Sequence, residues 1–311
     1  MKANSLLDLI GNTPLVNISA MSPNPRVEIW AKLEGANPTG SVKDRIARQM
    51  VQHAEAEGIL RPGATILEPS SGNTGIALAM IGKLRGYTVK IVMPDAVSIE
   101  RTQLLEAFGA EIILSPGADG SNGAVRMATR LRDEHPEWVM LFQYENEMNP
   151  RAHYETTAPE IIADLPDLDV FIAGLGTGGT LTGVGRRLKE HNPSIRIVAA
   201  APHPGDLVQG LRALEDGYIP PVFDDTVLDG RIVVDSATSF AVTKELTQKT
   251  GVFAGISSGS VVRTAQRTAE RMESGKIVCL LADGGWKYLS TGLWGKDYED
   301  IREAVAEKLW W

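Results

Sequence analysis

Along this chain, short β-rich apolar runs repeatedly pass through clusters of Gly, Ser and Thr into helical stretches. TILEP (65–69) leads into SSGNTG (70–75) and IALAMIGKL, and DVFIAGLG (169–176) leads through the cluster GLGTGGTLTG (174–183) into a helix ending at His191; GISSGS (255–260) is a third such junction. EIWAKLE (28–34), VKIVMP, EIILS, WVMLF, IRIVAAAP, RIVVDS and KIVCLLAD read as further strands. Helical stretches at about 100–108, 124–134 and 149–165, and one ending at Gly251, separate them. Short apolar strands alternating with helices bury their faces best as βαβ units, with helices on both sides of a mostly parallel sheet. The rhythm falls into two sets that meet near residue 149, with an irregular segment at 203–229. The pattern predicts an α/β fold of two α/β domains with mostly parallel twisted sheets. A ligand belongs in the cleft between them, where strand C-termini and helix N-termini converge.

The 311 residues suffice for two domains of ordinary size. A formal charge of −8, with no long basic run, argues against nucleic acid or an anionic membrane surface as partner. The single cysteine, Cys279, excludes an internal disulfide framework and a multi-cysteine metal site; within IVCLLAD it reads as a buried, inert thiol. The five histidines show no metal-ligand spacing, so no metal is expected. The apolar run at 6–10 is interrupted by Asp8 and is too short for a signal peptide or membrane span. These features describe a cytoplasmic enzyme.

Small residues let a backbone approach a ligand closely, and free amides at a helix start bind anions without a basic side chain. Each cluster taken singly reads equally well as a tight turn with a cap. The second contains G-x-G-x-x-G at Gly174, Gly176 and Gly179, but the strand that follows runs into AAAPHPG with no acid to hold a ribose. No P-loop motif is present. What remains is a loop for a lone phosphate. Upstream, in NPTGSVKDRIARQM (37–50), Gly40 and Ser41 break an extended segment and open a helix, with Ile46, Ala47, Met50, Val51 and Ala54 at helical spacing. Lys43 stands at that helix start. Enclosed there, its ammonium form is disfavoured by burial and by the helix dipole, which suits a Schiff-base nucleophile; taken alone, the residue reads more simply as a solvated surface lysine. Asp44 beside it reads as a first-turn helix charge. A reactive lysine with a monophosphate cradle suggests pyridoxal 5'-phosphate.

Together, Lys43 in NPTGSVKDR, SGNTG, GTGGT, GISSG and the late KYLSTG resemble the β-substituting enzymes of the tryptophan-synthase-β-like family (fold type II). Within it, IGNTPLV, LRPGATILEPSSGNTGIALAM and DGGWKYLSTG are similar to the cysteine synthases of B type, over nearly the whole chain. The resemblance implies that Lys43 holds the cofactor and serves as acid and base at the substrate Cα. It implies that Gly176, Thr177, Gly178, Gly179 and Thr180 wrap the phosphate, that Asn73 meets the ring hydroxyl and that Ser257 faces the pyridine nitrogen. Ser70, Ser71, Asn73, Thr74 and Gln143 would grip the substrate carboxylate. Asp283 falls near the ring edge, which Ser257 already accounts for. On this reading residues 41–148 form a smaller, mobile domain, and 11–40 with 149–311 a larger one that carries the cofactor. A homodimer is implied as well.

The activity implied is β-replacement that makes L-cysteine from an activated serine, through an aminoacrylate and a sulfur nucleophile such as sulfide or a protein thiocarboxylate. A serine or threonine dehydratase, a cystathionine-forming enzyme and a catalytically dead sensor of the same fold are the alternatives. In VQGLRALEDG (208–217), Arg212 stands where A-type relatives show the second glycine of QGIGAG. A guanidinium there suits phosphate and points to O-phosphoserine rather than O-acetylserine. The alternative is a loop arginine paired with Glu215 or Asp216. The ending EKLWW invites a fold-back of Leu309, Trp310 and Trp311 over the site mouth, or simple packing.

Overall fold

The computed structural model describes residues 2–306 except 71, 96–97, 118–119, 207 and 217–218. Ser71 and the terminal Leu309, Trp310 and Trp311 thus lie outside the described residues. The chain opens with an antiparallel pair, β1 (Leu15–Asn17) and β2 (Val27–Leu33), and then α1 (Lys43–Ala56). A βαβ series follows: β3 (Thr65–Pro69), α2 (Asn73–Arg85), β4 (Thr88–Pro94), α3 (Ile99–Ala107), β5 (Glu111–Ser115), α4 (Gly120–Glu134) and β6 (Trp138–Met140). After α5 (Met148–Ala152) and α6 (Ala158–Asp164) comes a second series. It comprises β7 (Val170–Gly174), α7 (Gly179–His191), β8 (Arg196–Ala201), β9 (Gly230–Val233), α8 (Ser236–Thr250), α9 (Ser257–Ala269), β10 (Gly275–Leu281) and α10 (Tyr298–Ala306).

Two sheets result. One has four parallel strands in the order β5-β4-β3-β6; the other has six in the order β1-β2-β10-β7-β8-β9, parallel apart from β1. Both are covered on both faces, which is why strands such as VFIAG and IVCLL are continuous apolar runs rather than alternating ones. On the four-stranded sheet, Ile46, Met50, Ile76 and Met80 pack with Ile66 and Ile91 on one side, while Ala124 and Ala128 meet Leu67 and Val92 on the other. The six-stranded sheet is sandwiched between α8 with α9 (Leu246, Val262) and α6 with α7 (Ile161, Val184). Among the described residues no helix is long and apolar enough to cross a membrane.

Two junctions differ from the sequence pattern. Helical periodicity at about 149–165 runs through one helical path, but His153–Thr157 forms a π-helical turn between α5 and α6. GISSGS does open a helix, α9, yet what precedes it is not a strand: Ala254 makes only an isolated bridge with Gly284. A single bridge carries no side-chain periodicity, so nothing in the composition marks the difference.

The passage between the two cores happens at the start of α1. Val42 is buried with Phe171 and Leu280 against the six-stranded sheet, whereas Ile46 and Met50 belong to the core of the four-stranded one. Arg45, on the same turn, is buried between two carboxylates: Nε and Nη2 bond Glu34 at 2.7 and 2.9 Å, and Nη1 and Nη2 bond Glu160 at 2.7 Å each. Lys32 reaches the same Glu160 at 2.9 Å and the Thr13 carbonyl at 2.6 Å. The network ties β2, α1 and α6 together; planar bidentate geometry offsets the desolvation that a buried guanidinium costs. Removing one partner strands the rest. Arg45→Ala should therefore destabilise the protein by roughly 3–5 kcal/mol. Denaturant unfolding of variant and wild type checks it, and a loss within the range of a surface substitution would show that the network contributes little.

Candidate active site

Three parallel strands, β3, β7 and β10, end on the same side of the molecule, and the loops after them line an open cleft. Lys43, Ser70, Asn73, Thr74, Gln143, Gly176, Thr177, Gly178, Thr180, Arg212 and Ser257 all border it. Residues far apart in the chain meet here because parallel strands bring their C-terminal loops to one edge.

Lys43 is the first residue of α1. The turn before it needs Gly40, whose φ of +79° places it in the left-handed region, with Trp286 packed where a side chain would start. The backbone is then pinned to the end of β10: Val42 N–H donates to the Ala282 carbonyl at 2.8 Å, and Ser41 bridges Asp283. Asp44 faces back into the protein. Its carboxylate accepts from the Thr39 N–H at 2.7 Å and from the Thr39 hydroxyl, and burial pushes it up to about 6 against those hydrogen bonds. It is more than a first-turn charge: it closes the loop that presents Lys43. The lysine itself is held below the usual ammonium range by loss of solvent, opposed by the Asp283 carboxylate.

The loop after β3 is organised by Ser70, whose hydroxyl accepts from the N–H groups of Gly72 and Gly75 at 3.3 and 3.1 Å. Thr74 donates to the Gln143 side-chain oxygen at 2.6 Å. Gln143 is set by a feature that sequence reasoning missed, the buried Glu68 on β3. Its two oxygens accept from the Phe142 and Gln143 N–H groups at 2.7 and 3.0 Å, and Phe142 is held at φ +51°. A left-handed aromatic residue stores strain that these two bonds offset.

At the β7–α7 junction, Gly178 has φ +84° and Phe223 stands 2.5 Å from where its Cβ would lie. The first amides of α7 have no intrahelical partner, and Thr177 and Thr180 add hydroxyls. Gly179 belongs to the same turn and packs against Asn149, which donates to the Gln143 carbonyl at 2.8 Å and to Thr177 Oγ1 at 3.1 Å. His153, read from sequence only as a non-ligand, lies beside this turn: Nε2 is 3.2 Å from Thr180 Oγ1 and Nδ1 is 3.0 Å from Thr157 Oγ1. Burial, with Arg45 and Lys43 nearby, holds it well below the usual imidazole range, so it stays neutral.

The opposite wall is polar and buried. Asp283 accepts from the Asn73 amide at 2.7 Å and the Tyr288 hydroxyl at 2.5 Å, both at Oδ2, while Oδ1 is buried without a partner. Lys287 donates to Asn73 Oδ1 at 2.6 Å. Arg101 from α3 borders the same cleft, and Gln209, in the amide orientation its neighbours require, accepts from it. Arg212 stacks over Tyr144 at 5.5 Å, and its N–H bonds the Leu175 carbonyl at 2.7 Å. Glu215, one of the two partners considered for Arg212, is engaged by Arg231, and the side chain of Asp216, the other, lies outside the described ones. Asp283, Lys287 and Arg101 carry no motif of their own; DGGWKYLSTG contained the first two, but nothing in its spacing shows that they meet Asn73. Cys279 is fully buried in β10, its thiol pushed up by desolvation.

The model of the pyridoxal-phosphate dependent enzyme family matches residues 6–283. The chain is 42% identical over 299 residues to a probable cysteine synthase of Bacillus subtilis, covering 92% of this chain and 96% of that protein. It is 41% identical over 296 residues to cysteine synthase B of Salmonella typhimurium, covering 95% and 97%. Among solved structures, O-ureido-L-serine synthase matches with a TM-score of 0.91 at 41% identity, over 98% of this chain and 100% of that one.

The Glu68 carboxyl generates a pH prediction. Burial pushes it up to about 7, against the two amide donors, from an ordinary value of 4.5. The folded state therefore binds the proton more tightly, and this group's contribution to stability falls as pH rises from about 4.5 to 7, the reverse of an ion-paired carboxylate. Glu68→Gln cannot ionise. The stability of wild type relative to this variant should decline across that window; a flat difference in unfolding midpoints would place the carboxyl at its ordinary value.

Proposed function

Because this chain belongs to the pyridoxal-phosphate-dependent enzymes, we propose that it is a cysteine-synthase-type transferase that replaces the β-substituent of an activated serine with sulfur. The observation that carries the reading is Lys43: a desolvated amine at a helix start, facing a cleft bordered by three small-residue loops. The cleft fits the cofactor. The β7–α7 turn offers amides and the Thr177 and Thr180 hydroxyls, with no cationic side chain in the turn itself, as suits a phosphate held at a helix N-terminus. Ser257, at the start of α9, offers a hydroxyl and no charge to a ring nitrogen.

When bound, pyridoxal phosphate supplies an electron-poor ring that draws off the electron pair left at the Cα of an attached amino acid. Lys43 would anchor the cofactor through Nζ, take the Cα proton and later return it; burial lowers its pKa and so favours the unprotonated amine that this task needs. Gly176, Thr177, Gly178, Gly179 and Thr180 hold the phosphate. Asn73 addresses the ring oxygen. Ser70, Ser71, Asn73, Thr74 and Gln143 bind the substrate carboxylate, and the Thr74–Gln143 hydrogen bond sets the spacing of the last two. The neutral Ser257 hydroxyl does not keep the ring nitrogen protonated, which favours departure of the β-substituent over exchange at Cα. Residues 41–148 make up the part that closes over the substrate. The separate four-stranded sheet β5-β4-β3-β6 lies within this part, which supports that division.

The preferred substrate in this reading is O-phosphoserine, with sulfide or a protein thiocarboxylate as sulfur source. Arg212 borders the cleft, where its guanidinium stacks over the Tyr144 ring. A guanidinium pairs with a dianionic leaving group but gains little from an acetyl ester.

Lys43→Ala should fold and abolish turnover; β-replacement at near wild-type rate in that variant would sink the assignment. Arg212→Ala should lower kcat/KM for O-phosphoserine by roughly one to two orders of magnitude, the scale of one charge-assisted contact, and leave O-acetylserine nearly unchanged. Equal losses for both substrates in steady-state assays would refute the substrate choice.

A further inference from the structure

Lys287 is a buried cation, 1% exposed, and the reaction as described gives it no task. Desolvation pulls its ammonium down to about 8, while the charges of Asp283 and Asp44 oppose that fall. Its hydrogen bond goes to a neutral group, the Asn73 carbonyl oxygen, at 2.6 Å. A buried ammonium held by an amide is an expensive way to fill space, since an apolar side chain of similar length would avoid the desolvation.

The arrangement makes sense as a lock on Asn73. An ammonium only donates and an ionised carboxylate only accepts, so Lys287 on one side and Asp283 on the other admit a single orientation of the amide. Asp283 takes one of the two Asn73 amide hydrogens, and the second remains for the cleft that Asn73 borders. Donation from Lys287 polarises the amide and strengthens that N–H. The same ammonium also offsets the negative charge of Asp283, which would otherwise oppose an oxyanion close to Asn73.

We propose that Lys287 is a positioning residue: by fixing and polarising the Asn73 amide and balancing Asp283, it keeps the cofactor's ring oxygen deprotonated. The inference rests on the cofactor reading given above. With the ring oxygen ionised, the nitrogen that links cofactor to Lys43 or substrate retains its proton, the form in which the ring withdraws electrons from Cα most strongly.

The test uses purified holoenzyme and the absorbance of its bound cofactor. In Lys287→Met the visible band should give way largely to the near-ultraviolet band of the protonated ring oxygen, with cofactor stoichiometry unchanged. Turnover should fall about tenfold to a hundredfold while KM for the amino acid changes less than about threefold. Lys287→Arg, which keeps the donor and the charge, should restore the visible band. Should Lys287→Met not fold, Lys287→Gln offers a neutral donor of similar reach and should show the same loss of the visible band. In an Asn73→Ala background the Lys287 substitution should have little further effect on the spectrum, because the two act through one contact. A wild-type spectrum and turnover in a cofactor-loaded Lys287 variant, or fully additive effects with Asn73→Ala, would overturn the proposal and leave the cofactor reading intact. Failure of the wild-type protein to take up pyridoxal phosphate would overturn that reading, and the proposal with it.

Discussion

The buried grip of Arg45 on Glu34 and Glu160 fixes where α1 begins, and most of the cleft follows from that. Successive residues of a helix are about 100° apart, so Lys43, Asp44 and Arg45 face three directions from one turn. Arg45 points into the ion network that joins β2 to α6, Asp44 turns back to close the loop at Thr39, and Lys43 is left facing the cleft. Three charged residues in a row would ordinarily mark a solvated surface. Here two are buried and paired, and the ammonium form of the third is disfavoured by the same loss of solvent.

Around that fixed point the two sheets contribute different chemistry. The six-stranded sheet supplies the small-residue turn after β7 and the Asp283 wall after β10; the four-stranded sheet supplies the Ser70–Thr74 loop and, through Glu68, the placement of Gln143. Asn149 spans the two by donating to both the Gln143 carbonyl and Thr177. The two loops are thereby coupled through hydrogen bonds rather than through a rigid sheet. Neutral His153 and the uncharged turn after β7 leave cationic character to Arg101 and Arg212, which border the cleft at different places, and to Lys287 behind Asn73.

Much of this was legible beforehand. Strand runs such as TILEP and the small-residue clusters that follow them are local signals, because a parallel strand buried on both faces must be apolar and a helix start near an anion must be small. Lys43 announced itself by a glycine turn and a helical period. The third cluster was legible as a helix start but not as the end of a strand, since a single bridge at Ala254 leaves no trace in composition.

The sequence by itself therefore determined the α/β class, the places of the three loops and the position of Lys43 at a helix start, all properties of windows a few residues long. Tertiary structure alone decided which charges meet. Glu68 reaches Gln143 across 75 positions, and Lys287 reaches Asn73 across 214. Whether a carboxylate or an ammonium is a solvated charge or a buried tuning group depends on what packs over it, and no local pattern carries that information.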